Sequence, residues 1–409
     1  MSDINWRETY VSYFMVYLLI FTSGSIRYLQ SPDKLLISGF IVSILAWVLF
    51  TDRKINKKFV LYTLIFMGLQ IIINLYTGGG LSLQSIIGTA MRLILAYLIL
   101  KIVGRDFAAT YVKLVALLAV VSLFGYLSDT FGLFESLTSM LPRVGDKGYG
   151  GFLYLFQFHH HIDRNNSIFF EPGAYQAFIN AGLFLLFFVD MKFSLKRQRI
   201  YILILLATLL TTSSTTGFLI FAIIFCLFLV KSTIMPASSK TALVGIILLA
   251  VMIFTAQFQH VIFKKINDYT DVEDITDSSN LRSFDALVDM EIFKRHMFGV
   301  GFDKYVMMVS SIGQIGQGQT SSNGITRTLA IYGLPFSLFL FASYYFALRR
   351  LLGGGLMSIT SYGILLMFLL GESWYVFSPF CLAIIAASFV YHKPYEDDEA
   401  YYKEIIASD

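Results

Sequence analysis

The sequence predicts an all-α, polytopic membrane protein. Three features predict it: long apolar runs, a scarcity of charge, and basic residues confined to alternate short connections. Apolar residues fill 56% of the 409 positions and charged residues only 14%, with 39 Phe and 24 Tyr giving an aromatic-rich character. Runs such as Tyr10–Ser23, Leu35–Phe50 and Thr241–Ala256 are read, with their flanking residues, as helices that cross the hydrocarbon core. Inside lipid every backbone group must be paired within its own segment, so these runs must be helices. Met1–Glu8 has no basic stretch and no small-residue cleavage site, so the first run reads as a retained span. Cys226 and Cys381 both fall in predicted spans and imply no disulfide framework. A net charge of +4 is too small to argue for a nucleic-acid partner. The whole chain, 1–409, reads as one integral membrane domain whose first partner is the bilayer.

In order, the pattern places about twelve spans, at 9–26, 35–50, 59–76, 83–103, 110–128, 173–190, 199–211, 216–230, 241–259, 324–348, 356–371 and 375–391. The seventh and eighth are short and joined through Thr211–Thr216, which predicts a tight helical hairpin. One set of connections holds Arg53, Lys54, Lys57 and Lys58, then Lys101 and Arg105, Lys192 to Arg199, Lys231 and Lys240, and Arg349 with Arg350. The alternate set, Thr77–Ser82, Thr211–Thr216 and Gly371–Trp374, holds no Lys or Arg. The bias of basic residues to the cytoplasmic side then puts both termini inside and two large loops, 129–172 and 260–323, outside.

Those loops carry the polar chemistry. Arg143, Lys147 and Arg164 lie in the first, and Lys264, Lys265, Arg282, Lys294, Arg295 and Lys304 in the second. They are either solvated surface beside Asp268–Asp277 or a site for an anion at the outer face. Arginine suits the second role because its planar fork pairs with phosphate oxygens and keeps its proton. Ser278-Ser279-Asn280 offers N-cap chemistry, and Phe284, Leu287, Val288 and Ile292 follow at helical spacing. An amphipathic helix is expected there, ending at Phe298-Gly299, with Arg282 in its first turn. It either lies at the membrane interface or caps the bundle. Arg92 stands within the fourth span and cannot be left bare to lipid, so it is either a site residue or the partner of an internal carboxylate such as Glu372.

Arg282, the helix after it and the stretch FKRHMFGVGF from Phe293 to Phe302 resemble the signature of the O-antigen polymerase and ligase superfamily. A second family feature, a His-Asn or Ser-Asn pair opening a span, is matched by Ser322-Asn323 and the run through Arg327 to Gly333-Leu-Pro335. A third, an Arg followed by a Phe-x-Glu-Pro-like opening of a central span, is matched from Arg164 to Glu171-Pro172-Gly173. The resemblance extends from about residue 160 to 348. Ser322 stands where the ligase branch carries His, which favours the polymerase branch. The hairpin sequence LTTSSTTG, Leu210 to Gly217, lacks the Arg that family members often carry, so an anion contact there would come from hydroxyls and backbone.

The resemblance implies a GT-C-like glycosyltransferase, free of cofactors, in a bacterial cytoplasmic membrane with its site facing outward. It would transfer a growing O-antigen, capsule or exopolysaccharide glycan from undecaprenyl diphosphate to a lipid-linked repeat unit, with inversion. A chain-length regulator protein is an expected partner. Arg164 and Arg282 are the expected clamps on the leaving diphosphate and Arg327 and Arg92 further contacts, with Asn323, Tyr175 and His161 completing the substrate contacts. Glu171 leads as catalytic base, although Glu-Pro at a helix start is also ordinary capping, and Asp163, Asp285, His161 and Glu372 compete with it. His159-His160-His161 point in different directions and make a poor metal set, and Asp268–Asp277 lacks the glycine and bidentate Glu of a calcium loop. The rival classes are a ligase of the same superfamily and a lipid-linked oligosaccharide transporter. Against transport stand the unlike halves and the poverty of charge at mid-depth.

Overall fold

The computed structural model describes residues 6–133, 140–144, 149–152, 155–158, 163–231, 278–312 and 321–391. The expected ninth span, 241–259, lies outside the described residues, as do His161 and Asp268–Asp277. The helices are α1 (Trp6–Phe21), α2 (Ile26–Gln30), α3 (Pro32–Phe50), α4 (Lys57–Tyr76), α5 (Leu83–Val103) and α6 (Phe107–Thr130), then α7 (Pro172–Phe188), α8 (Leu195–Thr212) and α9 (Thr215–Lys231). After these come α10 (Ser278–Arg295), α11 (Phe302–Ile312), α12 (Gly324–Leu352), α13 (Gly355–Gly371) and α14 (Pro379–Val390). A small antiparallel sheet interrupts the first polar loop, in the order β1 (Arg143–Val144), β2 (Tyr149–Phe152) and β3 (Phe156–Phe158).

Five stretches are long and apolar enough to cross a membrane by length and composition: Pro32–Phe50, Lys57–Tyr76, Leu83–Thr130, Gly324–Leu352 and Ser373–Val390. The third of these is α5 and α6 together, folded back where Gly104 takes a φ of +62°. Thr9–Phe21, Pro172–Phe188, Thr215–Lys231 and Gly355–Gly371 are apolar but shorter. Local chemistry sets many of the boundaries. The Asn56, Ser82, Ser194 and Ser378 side chains each accept an N–H of the first turn that follows, and Pro32, Pro172 and Pro379 open helices where no N–H is needed. The first span stops at Phe21, short of the expected 26, because Gly24 takes a φ of +123° and the chain turns before α2.

The outer faces of α3 and α4 are apolar and bare. Leu49, Leu64 and Leu75 are 72%, 61% and 75% exposed and belong to a continuous row of bare aliphatic side chains on these helices, and lipid is the solvent that suits such a face. Inside, α5 is the central post, packed against α1, α3, α4 and α14. Phe59 stacks on Tyr97 at 3.9 Å, and Phe178 lies 4.4 Å from Phe169 and 4.3 Å from Phe380.

The connections sort into two ends. At one, the Asn56 amide N–H donates to the Tyr97 hydroxyl (3.0 Å), Asn56 Nδ2 to the Phe389 carbonyl (2.8 Å) and the Tyr391 hydroxyl to the Gly104 carbonyl (2.8 Å). This end carries Arg53, Lys54, Lys57, Lys101 and Arg105, with Lys54 and Lys101 Nζ 3.9 Å and 3.8 Å from the Asp52 carboxylate. At the other end the Ile26 N–H donates to the Ile168 carbonyl (2.9 Å), and the Asp303 N–H to that of Gly80 (3.2 Å). The same end holds the bond from the Ser373 N–H to the Ser322 carbonyl (2.9 Å). Both polar loops, as far as they are described, lie at that second end.

One of the helices long enough to cross a membrane is discontinuous. Gly333, with φ +73° and ψ 176°, breaks α12, and Pro335 two residues on has no N–H to give back to the Ile331 carbonyl. The orphaned groups find partners in the turn after α10. The Val300 N–H donates to the Ala330 carbonyl (3.1 Å), the Gly301 N–H to the Ile331 carbonyl (3.0 Å) and the Leu334 N–H to the Met297 carbonyl (2.8 Å). Irregular backbone survives at membrane depth only when protein satisfies it, and the Gly-Val-Gly turn does so. Gly299 and Gly301 are required there: both have positive φ, and a Cβ on Gly301 would stand 2.6 Å from the Gly80 backbone.

Candidate functional site

The loop Asp163–Phe170 is stitched to the helices beneath it by one buried amide. The Asn165 N–H donates to the Thr211 carbonyl (2.9 Å), and its Nδ2 to Ser122 Oγ (3.1 Å) and Thr211 Oγ1 (3.0 Å). Its Oδ1 accepts the Ser167 N–H (3.1 Å). Tyr175 serves the same network. It is fully buried, hydrogen-bonds Ser122 through its hydroxyl at 3.0 Å and stacks on Phe169, so it works beneath the site and presents no surface to a substrate. The neighbouring Arg164 donates Nε to the Thr212 carbonyl at 3.1 Å, at the C-terminal, electronegative end of α8. The hydroxyl-rich hairpin closes through Ser213 in the left-handed conformation, and its backbone and Thr211 hydroxyl hold Arg164 and Asn165 in place.

Glu171 is the N-cap residue of α7 by backbone geometry, yet its side chain makes no capping bond. Another carboxylate stands against that helix end. A Cβ on Gly173 would lie 2.6 Å from Glu372 Oε1, so Glu372, itself buried, reaches the first turn of α7, where N–H groups and the helix dipole favour negative charge. Glu171 stands two residues before Gly173 as the N-cap residue, so Glu171 and Glu372 share this helix end.

Ser373 joins this pair to the arginine of α12. Arg327 Nη1 donates to Ser373 Oγ at 3.1 Å, and its guanidinium lies 5.7 Å from the centre of the Phe302 ring. Arg92, half-buried on α5, and Arg327 both act electrostatically on Tyr332, just before the break in α12. Among the described residues no carboxylate lies within ion-pair distance of Arg92, so Glu372 is not its partner. Asn323 serves as the α12 N-cap, its Oδ1 accepting the Ile325 (3.1 Å) and Thr326 (3.2 Å) N–H groups.

Arg282 is the fifth residue of α10, just past the first turn in which it was expected because the helix starts at Ser278, and its side chain lies outside the described residues. The helix itself departs from expectation. Its buried face is Asp285, Val288, Asp289 and Ile292, while Leu287 points outward at 54% exposure. That face packs on α12, so α10 caps the bundle. Asp285 Oδ2 accepts the Ser322 N–H (2.9 Å) and hydroxyl (3.2 Å). Asp289 accepts the Tyr305 hydroxyl on Oδ1 and the Thr326 hydroxyl on Oδ2, each at 2.7 Å. Burial raises the Asp289 carboxyl above the usual carboxylate range, against the pull of hydrogen bonds from Thr326, Tyr305 and Ser321.

Sequence reasoning missed Asp289, Tyr305, Thr326 and Ser373. The available signal was the i, i+4 pair of aspartates in phase with Val288 and Ile292. Among the described residues no group of three or more His, Cys, Asp or Glu side chains is placed to hold a metal ion. No protein-family model matches the chain, and no curated protein matches it.

Proposed function

We propose that the protein is a membrane-embedded glycosyltransferase of the polysaccharide-polymerase kind, taking its donor glycan from a lipid diphosphate such as undecaprenyl diphosphate. The observation that carries this reading is the gathering of Glu171, Glu372, Ser373 and Arg327 at one end of the bundle, an end that also holds Arg164 on the hairpin. A diphosphate is already a good leaving group. The protein therefore has to place two substrates and stabilise the charge that builds on the departing oxygens, which arginines do through paired hydrogen bonds.

In the proposed reaction a hydroxyl of the acceptor sugar attacks the anomeric carbon of the donor glycan. The bond from that carbon to the diphosphate oxygen breaks, the electron pair leaves with the lipid diphosphate, and the configuration inverts. The hydroxyl proton passes to a carboxylate, Glu171 or Glu372. Arg164, Arg282 and Arg327 hold the leaving group, and Arg92 reaches it from within the bilayer. By the bias of basic residues to the cytoplasmic side, this end faces outward.

One observation favours transport as a second reading. The break in α12 at Gly333 is the kind of discontinuous helix that transporters use at their binding sites. Reconstitution separates the two. Purified protein in vesicles, given a fluorescent lipid-linked repeat unit and no nucleotide sugar, is expected to produce a ladder of longer lipid-linked glycans. Movement of the label across the bilayer with no lengthening would establish the transporter instead.

A further inference from the structure

We propose that Asp285 and Asp289 are positioning residues: through them α10 grips the start of α12 and fixes Arg327 relative to the arginine at the start of α10. This rests on the reading of Arg282 and Arg327 as contacts to an anionic leaving group.

The geometry is specific. Two carboxylates one helical turn apart on α10 reach a single short stretch, Ser321 to Thr326, immediately before Arg327. Asp285 takes both the N–H and the hydroxyl of Ser322. Asp289, with no exposed surface, takes the Thr326 hydroxyl and, through Tyr305, reaches further back: the Tyr305 oxygen accepts the Ser321 N–H at 3.3 Å. Three elements, α10, α11 and the α12 N-terminus, are thereby cross-braced through two acids. The Ser321 hydroxyl adds a further tie by accepting the Asn323 N–H at 3.1 Å.

Packing alone does not call for this arrangement. A buried carboxylate carries a desolvation penalty, and apolar side chains of similar volume hold two helices together at least as well. What carboxylates add is direction. Each short hydrogen bond fixes one donor of the α12 start to one point on α10, whereas an apolar contact tolerates sliding. Arg282 lies three residues before Asp285, about one turn away on the same helix. The two arginines thus ride on the two elements that the carboxylates lock. The brace sets the spacing of the two elements that carry these cations, as joint recognition of a diphosphate requires.

The test compares Asp285→Ala, Asp289→Ala, Asp289→Asn and the control Val288→Ala in the full-length protein in lipid nanodiscs. Val288 shares the buried face but gives no hydrogen bond to α12 through its side chain. Two readouts are taken: amide hydrogen exchange of peptides spanning residues 321–328, and the kcat and KM of glycan transfer per folded molecule. Asp285→Ala is expected to speed exchange in 321–328 about tenfold and to lower kcat/KM about tenfold. Asp289→Asn, which keeps an acceptor for Tyr305 and a partner for Thr326, is expected to restore most of what Asp289→Ala loses. Val288→Ala is expected to lower the melting temperature while leaving both readouts unchanged.

Unchanged exchange in Asp285→Ala overturns the proposal, as does faster exchange with unchanged kcat/KM. The same changes in Val288→Ala overturn it too, because the carboxylates would then act as packing. Exchange does not depend on catalysis. If the wild-type protein transfers no glycan, the reading of the reaction fails and with it the role given to the brace, while the exchange comparison still reports whether the brace exists.

Discussion

Replacing Arg282 by lysine is expected to cut the rate of glycan transfer about a hundredfold, the effect of losing one transition-state contact worth about 3 kcal/mol. Lysine keeps the charge and loses the fork: one ammonium cannot make the two parallel hydrogen bonds that a guanidinium makes to adjacent phosphate oxygens. Two cations at the far end of the same helix provide the comparison. Lys294 is exposed, and Arg295 is paired with Glu291 at 2.8 Å on the surface. Changing Lys294 to Gln is expected to leave the rate within about twofold, as for an exposed charge with little to hold. The measurement is the initial rate of lengthening of a lipid-linked repeat unit, with the amount of folded protein determined in parallel. A normal rate in Arg282→Lys with an inactive Lys294→Gln would move the anion site to the other end of α10.

Gly333→Ala is expected to have the largest effect on the fold itself. Gly333 occupies a backbone region open almost only to glycine, and its Cβ would run into the backbone of Phe298 and Gly299. Strain of about 1 to 3 kcal/mol is the smaller part. The larger part is that the Met297–Gly301 turn must move away, leaving the Ala330 and Ile331 carbonyls without the N–H groups they now receive. Each buried group so orphaned is worth about 1 to 3 kcal/mol more. Gly68→Ala, in the interior of α4 with open space around the new Cβ, is the matched control and is expected to be neutral or to stabilise by about 0.5 to 1 kcal/mol. Thermal unfolding in detergent reads both. Equal melting temperatures for the two variants would show that the clasp between the turn and α12 contributes nothing.

These expectations depend unequally on sequence and on structure. The helices were legible where the apolar pattern and its caps coincide. The expected span 83–103 matches α5 residue for residue because Ser82 caps it and Gly104 ends it. The hairpin through Ser213 was legible too, since a run of hydroxyl residues between two apolar stretches leaves little else to form. The break at Gly333 was not read, although Gly333 and Pro335 were in plain view. A Gly-Leu-Pro sequence inside an apolar run also fits a smooth kink, and only the turn from Met297 to Gly301 decides between the two.

The site was legible in part. Glu171, Arg164 and Arg327 were chosen for residue type and position, and the structure brings Glu171 and Arg327 to a common neighbourhood through Glu372 and Ser373. Tyr175, expected among the substrate contacts, is core. In the sequence alone, Asp289 is one more charged residue on a helix, which reads as its solvated face. Only the hydroxyls of Tyr305 and Thr326, brought in by the fold, make a buried carboxylate tenable there.

The central claim is that the end bearing Arg164, Glu171, Arg327 and Glu372 is where a lipid diphosphate binds. Photo-crosslinking tests it most directly, with a polyprenyl diphosphate carrying a photoreactive group beside the diphosphate and the labelled peptides identified by mass spectrometry. Label is expected within 163–176, 282–302, 321–332 and 371–375, and an excess of unlabelled polyprenyl diphosphate is expected to displace it. Displaceable label confined to the basic end, at 51–58, 104–107 and 189–199, with none on the Glu171 and Arg327 peptides, would contradict the account.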